Sequence, residues 1–311
     1  MSTRKAFLFG VGPGGLPTDI PAWRSYCKRL EDLGFYSVGL GDHPALPRLG
    51  PIAAMCAAAD ATTKLRAGAL VFGNDYRHPL VLAREMATLD QLSGGRVEFG
   101  IGAGWYTDDY LQFGFPHDPI GRRIDRMAEA VHIIKRYFTG ETFSYDGKHY
   151  KVNGVTGWPK PAQDPRPPLV LGGGGPRMLA FAAREADVVD LNFTFKSGNL
   201  QDWAGGTVTR AATEAKMKLI RENAGARFGQ LRLSITIHCM AFSDIRAEAE
   251  KSAKLYNLTP EDVMDSPHFL IGELPAVIDK LHAMREDYGI TGINISGNMV
   301  DDTARLIQKL G

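Results

Sequence analysis

Two glycine-rich runs in the sequence could bind a phosphorylated ligand through their backbone N–H groups. The first places Gly10, Gly12 and Gly15 at the GxGxxG spacing of dinucleotide-binding turns. Such a turn opens directly into a helix, whereas residues 17–19 separate this run from the next helical pattern. The spacing therefore favours an ordinary loop after the first strand, and a Rossmann fold is the alternative.

The second run, VLGGGGPRM, covers residues 170–178 and follows an apolar strand pattern. Pro176 suits the first turn of a helix, whose leading N–H groups have no partner within the helix. Those groups and the helix dipole can hold a phosphate. No Lys followed by Ser or Thr completes a P-loop, so nucleotide hydrolysis is not indicated. The structural alternative is a tight strand-to-helix turn without a ligand.

A histidine follows the second predicted strand at its C-terminal end, where Asp42 and His43 are consecutive. An imidazole can donate or accept a proton near neutral pH. A single histidine often has only a structural role, but catalytic residues of barrels lie at this end of the strands. We therefore predict that His43 takes part in catalysis.

Short apolar and β-rich runs alternate along the chain with stretches of helical spacing. Trp23, Cys27, Leu30 and Leu33, for example, share one helical face. Several of the runs are apolar nearly throughout, as in strands buried on both faces of a parallel sheet. The pattern predicts an α/β fold, a (β/α)8 TIM barrel forming one domain over residues 1–311. The predicted strands are residues 6–11, 36–41, 64–72, 96–104, 168–173, 187–193, 231–242 and 291–296.

Two segments interrupt this alternation, residues 139–167 and 194–209. We interpret both as loops that follow strands, and therefore as insertions at the C-terminal mouth of the barrel. The first contains a predicted β-hairpin around Asp146 and Gly147.

The composition excludes several functional classes. A formal net charge of +1 without a clustered basic stripe argues against nucleic acid as a partner. No apolar run approaches the roughly 18 residues of a membrane span. The cysteines have neither disulfide-framework nor zinc-type spacing, so we expect no metal site and a cytoplasmic location. A small molecule is the expected substrate.

The segment from Arg77 to Tyr106, RHPLVLAREMATLDQLSGGRVEFGIGAGWY, closely resembles a stretch of the luciferase-like monooxygenase superfamily. In that superfamily a His-Pro pair starts a helix, an LDxLSxGR turn follows, and a glycine-rich strand ends at the cofactor. The Asp42-His43 pair and the GGGGPRM turn occur in the same order. The resemblance covers most of residues 5–195.

The resemblance implies a (β/α)8 barrel that binds reduced FMN or the deazaflavin coenzyme F420, with most similarity to the F420-dependent subgroup. It implies that His43 lies beside the redox ring and that a non-prolyl cis peptide joins Leu70 to Val71. The other residues that it implies at the cofactor are Asn74 at the ring's polar edge, Gly104 at the strand end, and Gly173, Gly174, Gly175, Arg177 and Met178 at the phosphate.

One departure from the family pattern bears on the substrate. Sugar-phosphate dehydrogenases of the family carry a glutamate after the glycine-rich strand, where this chain has Trp105 and Tyr106. An aromatic pair cannot replace that carboxylic acid, so we expect a hydrophobic substrate pocket here. The phosphate-binding arginine of luciferases also has no counterpart near Ala103, which disfavours FMN.

The sequence thus predicts an F420-dependent oxidoreductase that transfers hydride to or from a small organic substrate. An FMNH2-dependent monooxygenase is the first alternative, and a non-catalytic flavin-binding barrel is the second. By resemblance we also expect a homodimer. The identity of the substrate and the direction of the reaction stay open.

Overall fold

A computed structural model describes residues 5–194, Gly198 and residues 205–310. The strands are β1 (Leu8–Val11), β2 (Ser37–Leu40), β3 (Arg66–Ala69), β4 (Phe72–Gly73), β5 (Val97–Gly102), β6 (Thr142–Asp146), β7 (Lys151–Thr156), β8 (Leu169–Gly173), β9 (Val188–Leu191), β10 (Arg232–Thr236), β11 (Cys239–Ala241), β12 (Phe269–Ile271) and β13 (Ile290–Ile295).

Helices separate most of these strands. The α-helices are α1 (Ile20–Asp32), α2 (Pro51–Ala61), α3 (Pro79–Leu92), α4 (Thr107–Phe113), α5 (Ile120–Phe138), α6 (Pro176–Glu185), α7 (Arg210–Ala224), α8 (Ile245–Tyr256), α9 (Pro260–Asp265), α10 (Leu274–Ala283) and α11 (Val300–Leu310). A short π-helix, Met284–Tyr288, follows α10. No helix among the described residues is long and apolar enough to span a bilayer.

One parallel sheet contains nine of the strands, in the order β3-β2-β1-β13-β10-β9-β8-β5-β4, and β3 also pairs with β5. Because β3 and β4 belong to one passage of the chain, interrupted at Leu70 and Val71, the sheet has eight positions and closes on itself. The fold is therefore the predicted (β/α)8 TIM barrel, and not a Rossmann fold.

All eight predicted strand positions are occupied, but the run 231–242 is not one strand. It divides into β10, which pairs with β9 and β13, and β11, which pairs in parallel with β12 in a separate sheet. Between them the backbone changes partners: Ile237 N–H donates to Asn294 O at 2.7 Å and His238 N–H to His268 O at 2.9 Å. An apolar run indicates that a segment is buried, but it does not indicate which strands the segment pairs with. The division of residues 231–242 into β10 and β11 could therefore not be predicted from the sequence.

Residues 139–167 also differ from the expectation, because they follow helix α5 rather than a strand. The predicted hairpin is confirmed as the antiparallel pair β6 and β7. Its turn returns to α5, where the carboxylate of Glu129 accepts hydrogen bonds from the N–H groups of residues 148–150 at 2.9–3.2 Å. In the other segment, 194–209, residues 195–197 and 199–204 lie outside the described residues.

Contacts group the chain into two compact units. The His43 unit comprises Pro17–Lys28 and Gly39–Val170, and the Gly173 unit comprises the residues up to Leu16, Arg29–Val38 and the chain from Leu171 onward. The expectation of one domain over residues 1–311 stays a prediction.

Buried polar groups fix the framework of the His43 unit. Asp90, in the motif that carries the family resemblance, is fully buried. Its carboxylate accepts hydrogen bonds from the N–H of Val97 at 3.3 Å and from the side-chain Nε2 of Gln163 at 2.7 Å. These bonds join the end of α3 to the start of β5 and to the segment of residues 139–167. The motif is therefore a structural one, which sets the position of the strand that leads to Gly104.

Candidate functional site

The end of β2 is tied to the end of β4 through the buried carboxylate of Asp42. This carboxylate accepts the N–H of Gly73 at 3.0 Å and both terminal nitrogens of Arg77, with Nη2 at 3.1 Å from Oδ1. Because Arg77 neutralises its charge, Asp42 has a structural role. The adjacent residue, His43, is held at the strand end as predicted.

His43 forms a hydrogen bond from Nδ1 to Oδ2 of Asp109 at 2.7 Å. The Asp109 side chain is fully buried, whereas the His43 side chain keeps 17% of its surface exposed. An ionised carboxylate only accepts hydrogen bonds, so a neutral imidazole here donates from Nδ1 and carries its lone pair on Nε2. The pair therefore has the arrangement of a general acid or base with its orienting carboxylate.

The carboxylate of Asp109 is itself held by two further donors. Ala45 N–H donates to its Oδ1 at 3.0 Å and the hydroxyl of Tyr76 to its Oδ2 at 3.0 Å. Burial, followed by the charge of Asp109, raises the pKa of Tyr76, so the phenol stays protonated and acts as a donor. With these partners Asp109 has little freedom to turn away from His43.

Sequence reasoning missed Asp109, although a signal was present. Asp108 and Asp109 follow the Trp105-Tyr106 pair just past the end of a predicted strand. The positional argument that selected His43 applies equally to these carboxylates.

Two aromatic rings lie beside the imidazole. The ring of His43 packs in a T-shaped arrangement against both rings. The centroid distance is 5.4 Å to Trp105, with an interplanar angle of 76°, and 5.9 Å to Tyr106, with an angle of 82°. The hydroxyl of Tyr106 donates to Asp108 at 2.9 Å, and this hydrogen bond raises the pKa of the phenol. The structure thus brings Trp105 and Tyr106 to His43, and their place in a substrate pocket stays a prediction.

The peptide bond between Leu70 and Val71 is cis, as the resemblance implied. Both residues are half-buried, and strand β5 approaches them closely. A Cβ atom on Gly102 would lie 2.7 Å from Cγ2 of Val71, and one on Gly100 would overlap the carbonyl oxygen of Ala69. The glycines of β5 thus permit this close packing.

Gly104 has a backbone φ of +74°, and a Cβ atom there would overlap the hydroxyl of Tyr110. Its carbonyl accepts a hydrogen bond from Arg123 at 2.8 Å. These contacts explain why position 104 is a glycine on structural grounds alone. Its predicted contact with a cofactor stays a prediction.

Asn74, 2% exposed, lies in the short 3-10 turn after β4. Its Nδ2 donates to Oδ1 of Asp75 and to the hydroxyl of Tyr150, each at 3.3 Å. Tyr150 comes from the β6–β7 hairpin, so the tip of this hairpin reaches the loop after β4. With both N–H groups engaged, the group that Asn74 has left for a ligand is its carbonyl oxygen.

Arginines on α5 pair with carboxylates of the same unit. Arg126 forms two bonds of 2.7 Å to Asp75 and a third of 2.7 Å to Asp118. Arg122 pairs with Asp118 at 3.0 Å. These bonds hold α5 against the loop that carries Asn74.

The predicted phosphate turn lies in the Gly173 unit, where Gly175 precedes the ten-residue helix α6 and no side chain caps its start. A Cβ atom on Gly174 would overlap the backbone of Phe193, whereas one on Gly175 would meet nothing within 4 Å. Arg177 is exposed, and Met178 is buried with its Cγ 3.2 Å from the Cβ position of Gly173. The first N–H groups of α6 therefore suit an anion, and Met178 can contribute only through its backbone.

The first glycine run has a different role in the same unit. A Cβ atom on Gly10 would lie 2.6 Å from Oδ1 of Asn294, and the N–H of Gly12 donates to Ile295 O at 2.6 Å. The N–H of Gly297 donates to Gly14 O, also at 2.6 Å. These bonds seat the loop on the end of β13, which supports the interpretation of a structural loop.

Comparison with known proteins identifies the family. The model of the luciferase-like monooxygenase family matches residues 7–288. The chain belongs to this family. The fold is similar to that of the F420-dependent tetrahydromethanopterin reductase of Methanopyrus kandleri, with a TM-score of 0.77 and 19% identity over 98% of each chain.

Curated relatives include proteins named for both cofactors. The F420-dependent glucose-6-phosphate dehydrogenase of Intrasporangium calvum is 32% identical over 168 residues, which cover 51% of this chain and 50% of that protein. The FMNH2-dependent dimethylsulfone monooxygenase of Pseudomonas putida is 31% identical over 139 residues, covering 45% and 37%. The chain spans about half the length of the curated relatives it matches. The family is thus one of oxidoreductases and monooxygenases with flavin or deazaflavin cofactors.

Proposed function

We propose that this protein is an F420-dependent oxidoreductase that transfers hydride to or from a small organic substrate, with His43 handling the proton. The hydrogen bond of 2.7 Å between His43 and the buried Asp109, next to Trp105 and Tyr106, carries the proposal. The sequence resemblance to the F420-dependent subgroup and a relative named for its dependence on F420 also support this proposal.

The residues present fit such a cofactor. In the His43 unit, half-buried Leu70 and Val71 offer an apolar surface, and the carbonyl oxygen of Asn74 offers an acceptor for the polar edge of a ring. In the Gly173 unit, the uncapped start of α6 offers N–H groups for a phosphate. When bound, the deazaflavin would supply or accept the hydride.

The protein's own residues then account for the rest of the reaction. Reducing a polar double bond takes one hydride and one proton, and Nε2 of His43 would deliver that proton, or remove it in the reverse direction. Asp109 would stabilise the imidazolium form, since its negative charge lies 2.7 Å from Nδ1. Trp105 and Tyr106 would keep water from the reacting atoms.

Titration of the purified protein with F420 and, separately, with FMN tests the cofactor. We expect F420 to quench fluorescence on binding at micromolar concentrations or below, and FMN to bind much more weakly. Oxidation of reduced F420 by a panel of unsaturated organic compounds, measured without oxygen, then tests hydride transfer. A preference for FMN, or binding of neither compound, would contradict the proposal.

The second candidate is an FMNH2-dependent monooxygenase, which the relative from Pseudomonas putida supports. Oxygen consumption distinguishes the two functions, because a deazaflavin has carbon in place of the ring nitrogen N5, and without that nitrogen the reduced ring reacts poorly with oxygen. Substrate-dependent oxygen uptake with FMNH2, and none with reduced F420, would favour this candidate. A protein that binds a flavin but turns over no substrate would instead be the non-catalytic barrel.

We also propose a homodimer, a cytoplasmic location and a small-molecule substrate as the only ligand besides the cofactor. The resemblance to the superfamily supports the homodimer, and the composition supports the other two. Light scattering of the eluted protein at several concentrations would test the dimer.

A further inference from the structure

The loop that follows His43 is held in place by its own backbone. Leu46 N–H donates to the carbonyl of His43 at 3.1 Å, and Arg48 N–H donates to the carbonyl of Leu46 at 2.8 Å. Ala45 N–H bonds to the carboxylate of Asp109 at 3.0 Å. Residues 43–48 are therefore anchored to the same buried carboxylate that orients the imidazole.

Arg48 differs from the other arginines around His43. Arg77 and Arg126 form ion pairs with Asp42 and Asp75, and the buried Arg123 donates to the carbonyl of Gly104. The charges of Arg77 and Arg126 are thus matched by carboxylates, whereas Arg123 has no carboxylate partner among the described residues but is itself buried, with Nη1 bonded to backbone carbonyls. These three arginines are consequently poor candidates for binding a substrate.

The guanidinium of Arg48 forms no hydrogen bond or ion pair with any residue that the structure describes, and the residue is exposed. Surrounding protein atoms lower the pKa of this guanidinium, and the charge of Asp109 opposes that effect. Asp109 is thus close enough to influence Arg48 but is not its ion-pair partner. Its oxygens already accept hydrogen bonds from Ala45, His43 and Tyr76.

We propose that the substrate is an organic acid whose carboxylate binds Arg48 while its apolar part lies against Trp105 and Tyr106, next to His43. This inference rests on the proposed function and adds the substrate class. The planar guanidinium matches a carboxylate with two parallel hydrogen bonds. The aromatic rings suit an apolar group.

The charge at the site favours a carboxylate over a phosphate ester. Arg77 and Arg126 are paired with Asp42 and Asp75, whereas the carboxylates of Asp108 and Asp109 beside Tyr106 and His43 have no arginine partner among the described residues, so a ligand that binds Arg48 meets one free guanidinium and nearby negative charge. One guanidinium balances a monoanion and leaves a dianion half neutralised.

Calorimetry with trans-cinnamate and its neutral analogue cinnamamide tests the proposal on the cofactor-loaded protein. The two compounds share an aromatic ring and a conjugated double bond and differ in charge. We expect cinnamate to bind at least about tenfold more tightly, the usual advantage of a charge-assisted bidentate pair. Arg48→Met should remove this preference, and Arg48→Lys should restore part of it.

Arg84→Met is the matched control. Arg84 is an exposed arginine on α3, and its side chain has no ion pair with a described residue. Its replacement changes net charge by the same amount, so the preference for cinnamate should persist. If Arg84→Met lowers that preference as much as Arg48→Met does, general electrostatic attraction explains it and the proposal fails.

The binding measurement separates this inference from the proposed function. Equal affinity of the native protein for cinnamate and cinnamamide would overturn the organic-acid assignment and leave hydride transfer untouched. Selective binding of cinnamate that depends on Arg48, together with no oxidation of reduced F420 by any acceptor, would support the acid site and contradict the proposed function.

Discussion

Buried carboxyl groups have different kinds of hydrogen-bond partner in the two units. In the His43 unit, the carboxylates of Asp42 and Asp75 each lie against an arginine, and that of Asp109 against a partly exposed histidine. In the Gly173 unit, Asp190 is buried, and only the neutral side chains of Ser234, Thr236 and Asn294 donate to it. The first arrangement buries each carboxylate against an arginine or a partly exposed histidine, whereas the second surrounds a buried carboxyl group with neutral donors.

The histidines show the same contrast. His238 and His268 of the Gly173 unit stack at a centroid distance of 5.4 Å, and the Nε2 atoms of both are buried without a partner among the described residues. Burial lowers the pKa of His238 well below its usual range and that of His268 to about 3. It also raises the pKa of Asp190 and lowers that of Lys216 to about 8. His238 and His268 are therefore neutral imidazoles near pH 7, whereas Lys216 is still mostly protonated there.

The strongest test of this contrast is the loss of the imidazole of His43. His43→Ala should lower kcat about 10²- to 10⁴-fold, the usual contribution of a general acid or base, while F420 still binds. Single-turnover rates and cofactor titration would measure both effects. His268→Ala is the comparison, because it removes a buried histidine of the other unit. Unchanged turnover in His43→Ala, with cofactor bound, would refute the catalytic role.

Loss of the Asp109 carboxylate should lower kcat less than loss of the His43 imidazole. Asp109→Asn removes the charge that orients His43 and stabilises its protonated form, so we expect kcat to fall about 10- to 100-fold, as for a lost hydrogen bond to a charged group. The Kd for F420 should hardly change. Asp118→Asn is a suitable control, since Asp118 pairs with arginines of α5 instead of His43. If kcat falls equally in Asp109→Asn and Asp118→Asn, a general structural effect explains the loss.

In the Gly173 unit, substitutions in the glycine turn before α6 should change the free energy of unfolding. Gly174→Ala places a Cβ atom against the backbone of Phe193 and should reduce the free energy of unfolding by about 1–3 kcal/mol, as overpacking typically does. Gly175→Ala adds the same atom where nothing lies within 4 Å, at a φ of −79° that alanine tolerates. It should stay within about 0.5 kcal/mol of the native protein. Urea unfolding of the two variants makes the comparison, and equal values would contradict the packing described for Gly174.

His268 should also contribute a pH dependence to the stability of the Gly173 unit. Its pKa is about 3 in the folded protein, below that of an unfolded chain, about 6.5. Between these values the unfolded chain binds the extra proton, so the free energy of unfolding falls as pH falls, by up to about 1.4 kcal/mol per pH unit. His268→Asn should flatten the unfolding curve between pH 6.5 and 4 relative to the native protein. If both proteins lose stability equally over this range, His268 is not buried in its neutral form.

Much of the fold followed from periodicity, because burial of strands and helices leaves a direct pattern of apolar spacing. The eight barrel strands and the hairpin around Asp146 and Gly147 were predictable for this reason. The division of residues 231–242 between two sheets was not, since pairing partners depend on distant segments. The same limit hid the pairing of Asp109 with His43, because the two residues are 66 positions apart along the chain but in direct hydrogen-bond contact.

The sequence by itself determined the barrel, the family, the position of His43 at a strand end, and the glycines that precede α6. These features are local or periodic, so neighbouring residues suffice to specify them. Only the tertiary structure decided that Asp42 is neutralised by Arg77, that Asp109 orients His43, and that Arg48 lacks a partner among the described residues. A charge becomes structural or reactive through the groups that folding brings within a few ångströms of it, and no local pattern of residues records those contacts.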